Sequence, residues 1–118
     1  MPATLRKLRV ELRRLAAEGN AEEILARCGS VLLGRAARSE REGVELLELF
    51  CQSAAKLGRW QSLVELCLRL IDSIGLGAPA SVRCVLHSWV GVALMRSGQY
   101  RLAEEHSRAA LHIASWEA

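Results

Sequence analysis

Three glycines, Gly19, Gly58 and Gly98, stand 39 and 40 residues apart in this 118-residue chain. That spacing restricts the fold more than any other feature of the sequence. After each glycine, the positions at +2, +5, +9, +12 and +13 are small or apolar. They are Ala21, Ile24, Cys28, Val31 and Leu32, then Trp60, Leu63, Cys67, Leu70 and Ile71. The third set is Tyr100, Ala103, Ser107, Ala110 and Leu111, with Ser107 its one polar member. Steps of three and four keep such side chains on one face of a helix. The segments before the glycines carry helical stripes too: Leu5, Leu8, Leu12 and Leu15; Leu46, Leu47, Phe50, Cys51, Ala54 and Leu57; Leu86, Val90, Ala93 and Leu94. Each unit thus predicts a helix A, a glycine turn and a helix B. Glycine suits the turn because a left-handed backbone there costs it nothing. A flat aromatic at +2, such as Trp60 or Tyr100, is expected to pack back on helix A. Self-similarity at this period is the mark of a helical solenoid.

The pattern places helices at about 3–18, 21–36, 40–57, 60–74, 80–97 and 100–116. They group into units 3–36, 40–74 and 80–116 of a single domain, 1–118, a length that suits one core. Ser39 with Glu42 reads as a capping box opening the middle helix A. Gly75, Gly77 and Pro79 break the chain before the third unit. Composition agrees with an all-α fold. Half of the chain is apolar, yet only Phe50, Trp60, Trp89, Tyr100 and Trp116 are aromatic, so Leu and Ala fill the core. Trp89 and Trp116 fall near the edge of their stripes and are expected to pack in the core or between repeats.

Several function classes find no support. There is no Gly-rich phosphate loop, no G-x-S-x-G elbow and no H-E-x-x-H, so the chain is not expected to be an enzyme or to hold a cofactor. His87, His106 and His112 have no acid or nucleophile at a telling spacing and read as surface or half-buried residues. Cys28, Cys51, Cys67 and Cys84 lie inside apolar helical patterns, where a free thiol behaves as a small hydrophobe. They read as reduced core thiols of an intracellular, cytoplasmic protein. Cys84 and His87 are one turn apart, but no second ligand pair stands nearby in sequence, so no metal site is expected. No apolar run is long enough to span a membrane.

The net charge of +3 is local. Arg6, Lys7, Arg9, Arg13 and Arg14 against Glu11 and Glu18 give the first 20 residues all of it, and the other charges cancel. Arg6, Arg9 and Arg13 share a helix face, which suits an acidic peptide or a phosphate, or simply a solvated surface. Nucleic acid is a poor match, since no aromatics interleave the patch.

The segment "VGVALMRSGQYRLAEEHSRAALHIA", with Gly91, Ala93, Gly98, Tyr100, Ala103, Ala110 and Leu111, resembles a tetratricopeptide repeat. The middle unit matches at Leu47, Phe50, Ala54, Gly58, Trp60 and Leu70, with Leu63 where the family prefers Ala. The first is degenerate, with Glu11 at a usually apolar position and Ala21 at a usually aromatic one. The period exceeds the family's usual length of about 34 and is similar to its longer-repeat branch. The resemblance implies a right-handed superhelix whose A helices line a concave, peptide-binding groove. Carried over by position, the groove residues are Arg6, Arg9 and Arg13, then Glu45, Glu48, Gln52 and Lys56, then Ser88, Val92 and Arg96. The Lys/Asn clamp for chaperone tails is missing, because no Asn stands at these positions.

The last helix keeps Leu111, Ile113, Ala114 and Trp116 on more than one face, whereas solenoids usually end in a polar cap. This suggests continuation into further repeats or an end buried by self-association through Leu111, Ile113 and Trp116. The expected function is a non-enzymatic protein-interaction scaffold that binds a protein or peptide, an acidic one suiting the arginines. The alternatives are a homodimerising module and a regulatory segment of a larger signalling or transcription regulator.

Overall fold

The computed structural model describes residues 3–32, 40–74 and 79–116. Among them stand six helices and no strand: α1 (Ala3–Ala17), α2 (Ala21–Leu32), α3 (Glu40–Lys56), α4 (Trp60–Ile74), α5 (Ala80–Arg96) and α6 (Tyr100–Trp116). The bounds follow the sequence pattern closely. The expected last turn of α2, the Ser39 cap and the Gly75–Gly77 break lie outside the described residues. The chain forms two compact units, Met1–Gly58 and Arg59–Ala118. Each therefore holds one complete helix hairpin and one helix of the middle repeat.

The glycine turns are as the spacing requires. Gly19, Gly58 and Gly98 have φ of 75°, 69° and 79°, and no other described residue has a positive φ. At Gly98 the Gln99 amide donates to the Leu94 carbonyl at 2.9 Å and the Gly98 amide to Met95 at 3.1 Å. At Gly19 the Asn20 amide donates to Leu15 at 2.9 Å and the Gly19 amide to Ala16 at 3.1 Å. This paired closure satisfies carbonyls that a helix end otherwise leaves without partners. The next helix starts at once. The Ala103 amide donates to the Gln99 carbonyl at 3.0 Å, and Asn20 Oδ1 accepts from the Glu23 amide at 3.4 Å as an N-cap.

In the first unit, Leu12, Leu15, Ile24, Cys28, Leu46, Leu47, Phe50 and Cys51 are buried, whereas Leu57, the last member of its stripe, is exposed. Glu11, which departs from the apolar pattern, has a polar role instead. Its carboxylate accepts from Arg27 of α2 at 2.9 Å, and Arg27 also bonds Glu23 at 2.8 Å. The hydrogen bond to Glu23 first, then the hydrogen bond and charge of Glu11, hold the Arg27 guanidinium above its ordinary pKa.

In the second unit α5 packs on both α4 and α6. A helix covered on two sides needs apolar residues around most of its circumference, and α5 buries Val82, Leu86, Val90, Gly91, Ala93 and Leu94. Helix α6, covered on one side, buries Ala103, Ala110 and Ile113. Gly91 permits close approach of α5 and α6: a Cβ there would lie 2.7 Å from Ser107 Oγ.

Candidate functional site

The residues expected to line a groove fall into two groups, one in each unit. In the first unit, Arg9 and Arg13 of α1 both reach Glu45 of α3. Arg9 Nη1 lies 3.3 Å from Glu45 Oε2, and Arg13 Nη2 donates to Glu45 Oε1. The side chain of Arg6 lies outside the described residues. Two of the three expected basic groups are thus engaged with a carboxylate that was itself expected to face a partner. The basic face is in part a clamp between α1 and α3. An acidic ligand there would compete with Glu45. Glu48 is half-buried, and Gln52 and Lys56 are exposed at the rim of a cavity of about 80 Å³ with Ala16, Ala21 and Ile24.

In the second unit Ser88, Val92 and Arg96 are exposed along α5. Val92 and Arg96 form a cleft of about 590 Å³ with Gly91, Met95, Tyr100 and Ser107. Met95 and Tyr100 are 53% and 65% exposed, which makes the cleft an open apolar surface. The Arg96 guanidinium carbon stands 5.9 Å from the ring centre of Trp60, a cation–π contact that holds it near α4. Tyr100, expected to pack back on helix A, borders the cleft with Val92, Met95 and Arg96 of α5 but remains 65% exposed. Trp60, the equivalent residue, is half-buried. Met95 and Tyr100 were missed as site residues, although both flank the Gly98 turn, where two helix ends open a gap.

Helix α6 brings two further corrections. Ile113, expected in an oligomer interface, is 6% exposed and belongs to the packing of α6. Trp116, expected to be packed, is 79% exposed, with its ring tilted on His112 at 6.3 Å.

The hairpin of α5 and α6 also joins groups that are far apart in sequence. The Nδ1 atoms of His87 and His106 lie 3.0 Å apart, with ring centres 5.2 Å apart. Burial lowers the pKa of both imidazoles. At His87 the neighbouring His106 and Arg83 lower it further, and at His106 Glu105 opposes the effect. One turn away, the Cys84 thiol donates to the Ala110 carbonyl at 3.5 Å. Among the described residues, no three His, Cys, Asp or Glu side chains are grouped so that they could hold a metal ion. Cys28, Cys51 and Cys67 are buried, Cys84 partly so, and none of the four is in a disulfide. Burial pushes the Cys28 thiol up to about 12.

Helices, an ion-paired arginine face and an open apolar cleft define a class no narrower than an all-α protein with exposed surface suited to contact. No family model, curated protein or solved structure matches the chain.

Proposed function

We propose that the chain is a non-enzymatic protein-interaction module, a right-handed solenoid of three tetratricopeptide-like helix pairs. It takes an extended or helical segment of a partner on its A helices. The observation that carries this reading is the cleft of the second unit, where Val92, Met95 and Tyr100 expose apolar surface beside Arg96. Side chains of this kind, on a concave surface, are what a docking peptide or helix buries. Arg96 adds a donor for a carboxylate of the partner. Because Arg9 and Arg13 already serve Glu45, most of the binding energy falls on the cleft. Burial of Cys28, Cys51 and Cys67 in the helix packing suits thiols that act as small apolar residues, as in an intracellular protein. Homo-oligomerisation through α6 is a second reading, favoured by the exposure of Leu111 and Trp116.

Peptide-display selection on the purified chain tests the first reading. Selection should enrich sequences with apolar residues at helical spacing and at least one acidic residue. Val92→Asp with Arg96→Glu should abolish recovery while helical circular dichroism is unchanged. Failure to enrich, or enrichment that ignores the double variant, would overturn it.

A further inference from the structure

The contact between His87 and His106 does more than fill space. The two Nδ1 atoms are 3.0 Å apart and the ring centres 5.2 Å apart. An imidazole nitrogen sits about 1.1 Å from its ring centre, so the two nitrogens point almost straight at each other. Two lone pairs at this distance would repel, and two N–H groups would clash. The contact therefore needs one proton: one ring donates through Nδ1–H and the other accepts through Nδ1. The same head-on approach leaves no seat for a metal ion, whose bonds of about 2.0 Å to each nitrogen would need more room between them.

The number of protons on the pair decides whether this bond exists. A first added proton goes to Nε2 of the donor ring, its free lone pair. The Nδ1–H···Nδ1 bond survives and becomes charge-assisted. A second proton can go only to the accepting Nδ1. Both nitrogens then carry hydrogen, both rings are cationic, and the contact must open. The two steps belong to the pair and not to either ring alone.

Position makes the opening consequential. Gly91 lies one turn beyond His87 on α5, and Ser107 follows His106 on α6; both line the cleft. A Cβ at Gly91 would come within 2.7 Å of Ser107 Oγ and 3.4 Å of the Ala103 carbonyl oxygen, so the two helices run close together there. Separation at the histidines acts on the adjoining turn of each helix, and those turns carry the cleft walls at Gly91 and Ser107.

We infer that His87 and His106 form an acid-operated latch on the α5/α6 hairpin, closed with one shared Nδ1 proton and opened by double protonation, and that opening reshapes the neighbouring cleft. The charged groups acting on it are Arg83 on α5, which disfavours protonation of His87, and Glu105 on α6, which favours that of His106. Helix α4, the other element packed on α5, supplies no charge to either ring among the described residues. Histidine is the side chain whose ordinary pKa lies closest to such a range. The latch rests on the interaction reading only for its biological use.

The test is a pH titration of the whole chain by nuclear magnetic resonance. It follows the imidazole nitrogens together with the Met95 methyl group as a reporter of the cleft. The two rings should titrate in two coupled steps below the ordinary histidine value, and Met95 should shift with the second. His87→Gln and His106→Gln should each remove the Met95 shift, while His112→Gln should preserve it. A Met95 signal that ignores the second step, or that moves unchanged in both variants, would overturn the latch. If neither variant folds, the wild-type titration decides alone, through coincidence of the Met95 shift with the second step. No partner enters the measurement, so its failure leaves the interaction reading standing, and failure of peptide selection leaves the latch standing.

Discussion

At the scale of single residues, glycine does two unlike jobs in this chain. Gly98 has φ 79° and open space where a Cβ would go, so its requirement is purely one of backbone conformation. Gly91 is helical, and its requirement is the close approach of Ser107. The two should therefore respond differently to alanine. Gly98→Ala forces a side chain into a left-handed backbone and should cost about 1–2 kcal/mol. Gly91→Ala gains about 1 kcal/mol of helix propensity, offset by displacement of a hydroxyl that is free to rotate, and should fall well short of that loss. Urea unfolding of both variants checks the order, which fails if Gly91→Ala is the more damaging. The arginines show a similar split between appearance and role. Arg9 and Arg13 look like a binding face in the sequence because the pattern i, i+4 says only that they share a side. Their engagement with Glu45 depends on where α3 packs, and no local spacing encodes that.

Among the elements, the α5/α6 hairpin was legible in outline and hidden in detail. The glycine at its turn and the apolar offsets after it predicted both helices to within a residue or so, because helix periodicity and turn chemistry are local properties. What the offsets could not give was the register of one helix against the other. That register brings Cys84 to Ala110 and His87 to His106, residues with no telling spacing along the chain. It also sets Tyr100 at the edge of a cleft beside Val92, Met95 and Arg96. The hairpin carries a pH dependence whose sign follows from burial. Both imidazoles have pKa values lowered in the folded chain, so between those values and the ordinary value near 6.5 the unfolded chain binds more protons. Stability is fully present above about pH 6.5 and declines as pH falls through the lowered pKa values. The urea midpoint should accordingly drop between pH 7.5 and pH 5, and the His87→Gln, His106→Gln double variant should drop less. Equal drops would show that these two rings do not carry the effect. Partial exposure of the pair keeps the effect modest.

For the whole molecule, the question is whether the exposed apolar side chains of α6 join copies of the chain or serve a different partner. Leu111 and Trp116 are 68% and 79% exposed, which by itself favours association. Their placement argues the other way. At 3.6 residues per turn, five positions along a helix rotate the side chain by about 140° relative to the first. Leu111 and Trp116 therefore point to nearly opposite sides of α6, and Ile113 between them is turned inward and buried. A two-fold interface uses one self-complementary patch on each copy, and no such patch contains both residues. Leu111 instead lies on the side of Tyr100 and Ser107, since steps of four and seven residues return to nearly the same face. The apolar surface of α6 thus continues the cleft, which fits capture of a foreign segment better than self-pairing. Light scattering should accordingly give the mass of one chain across the micromolar range, unchanged by Leu111→Glu or Trp116→Ala. A stable dimer that Leu111→Glu dissociates would reverse the order of the two readings, because the cleft side of α6 would then be the surface that copies of the chain bury against one another.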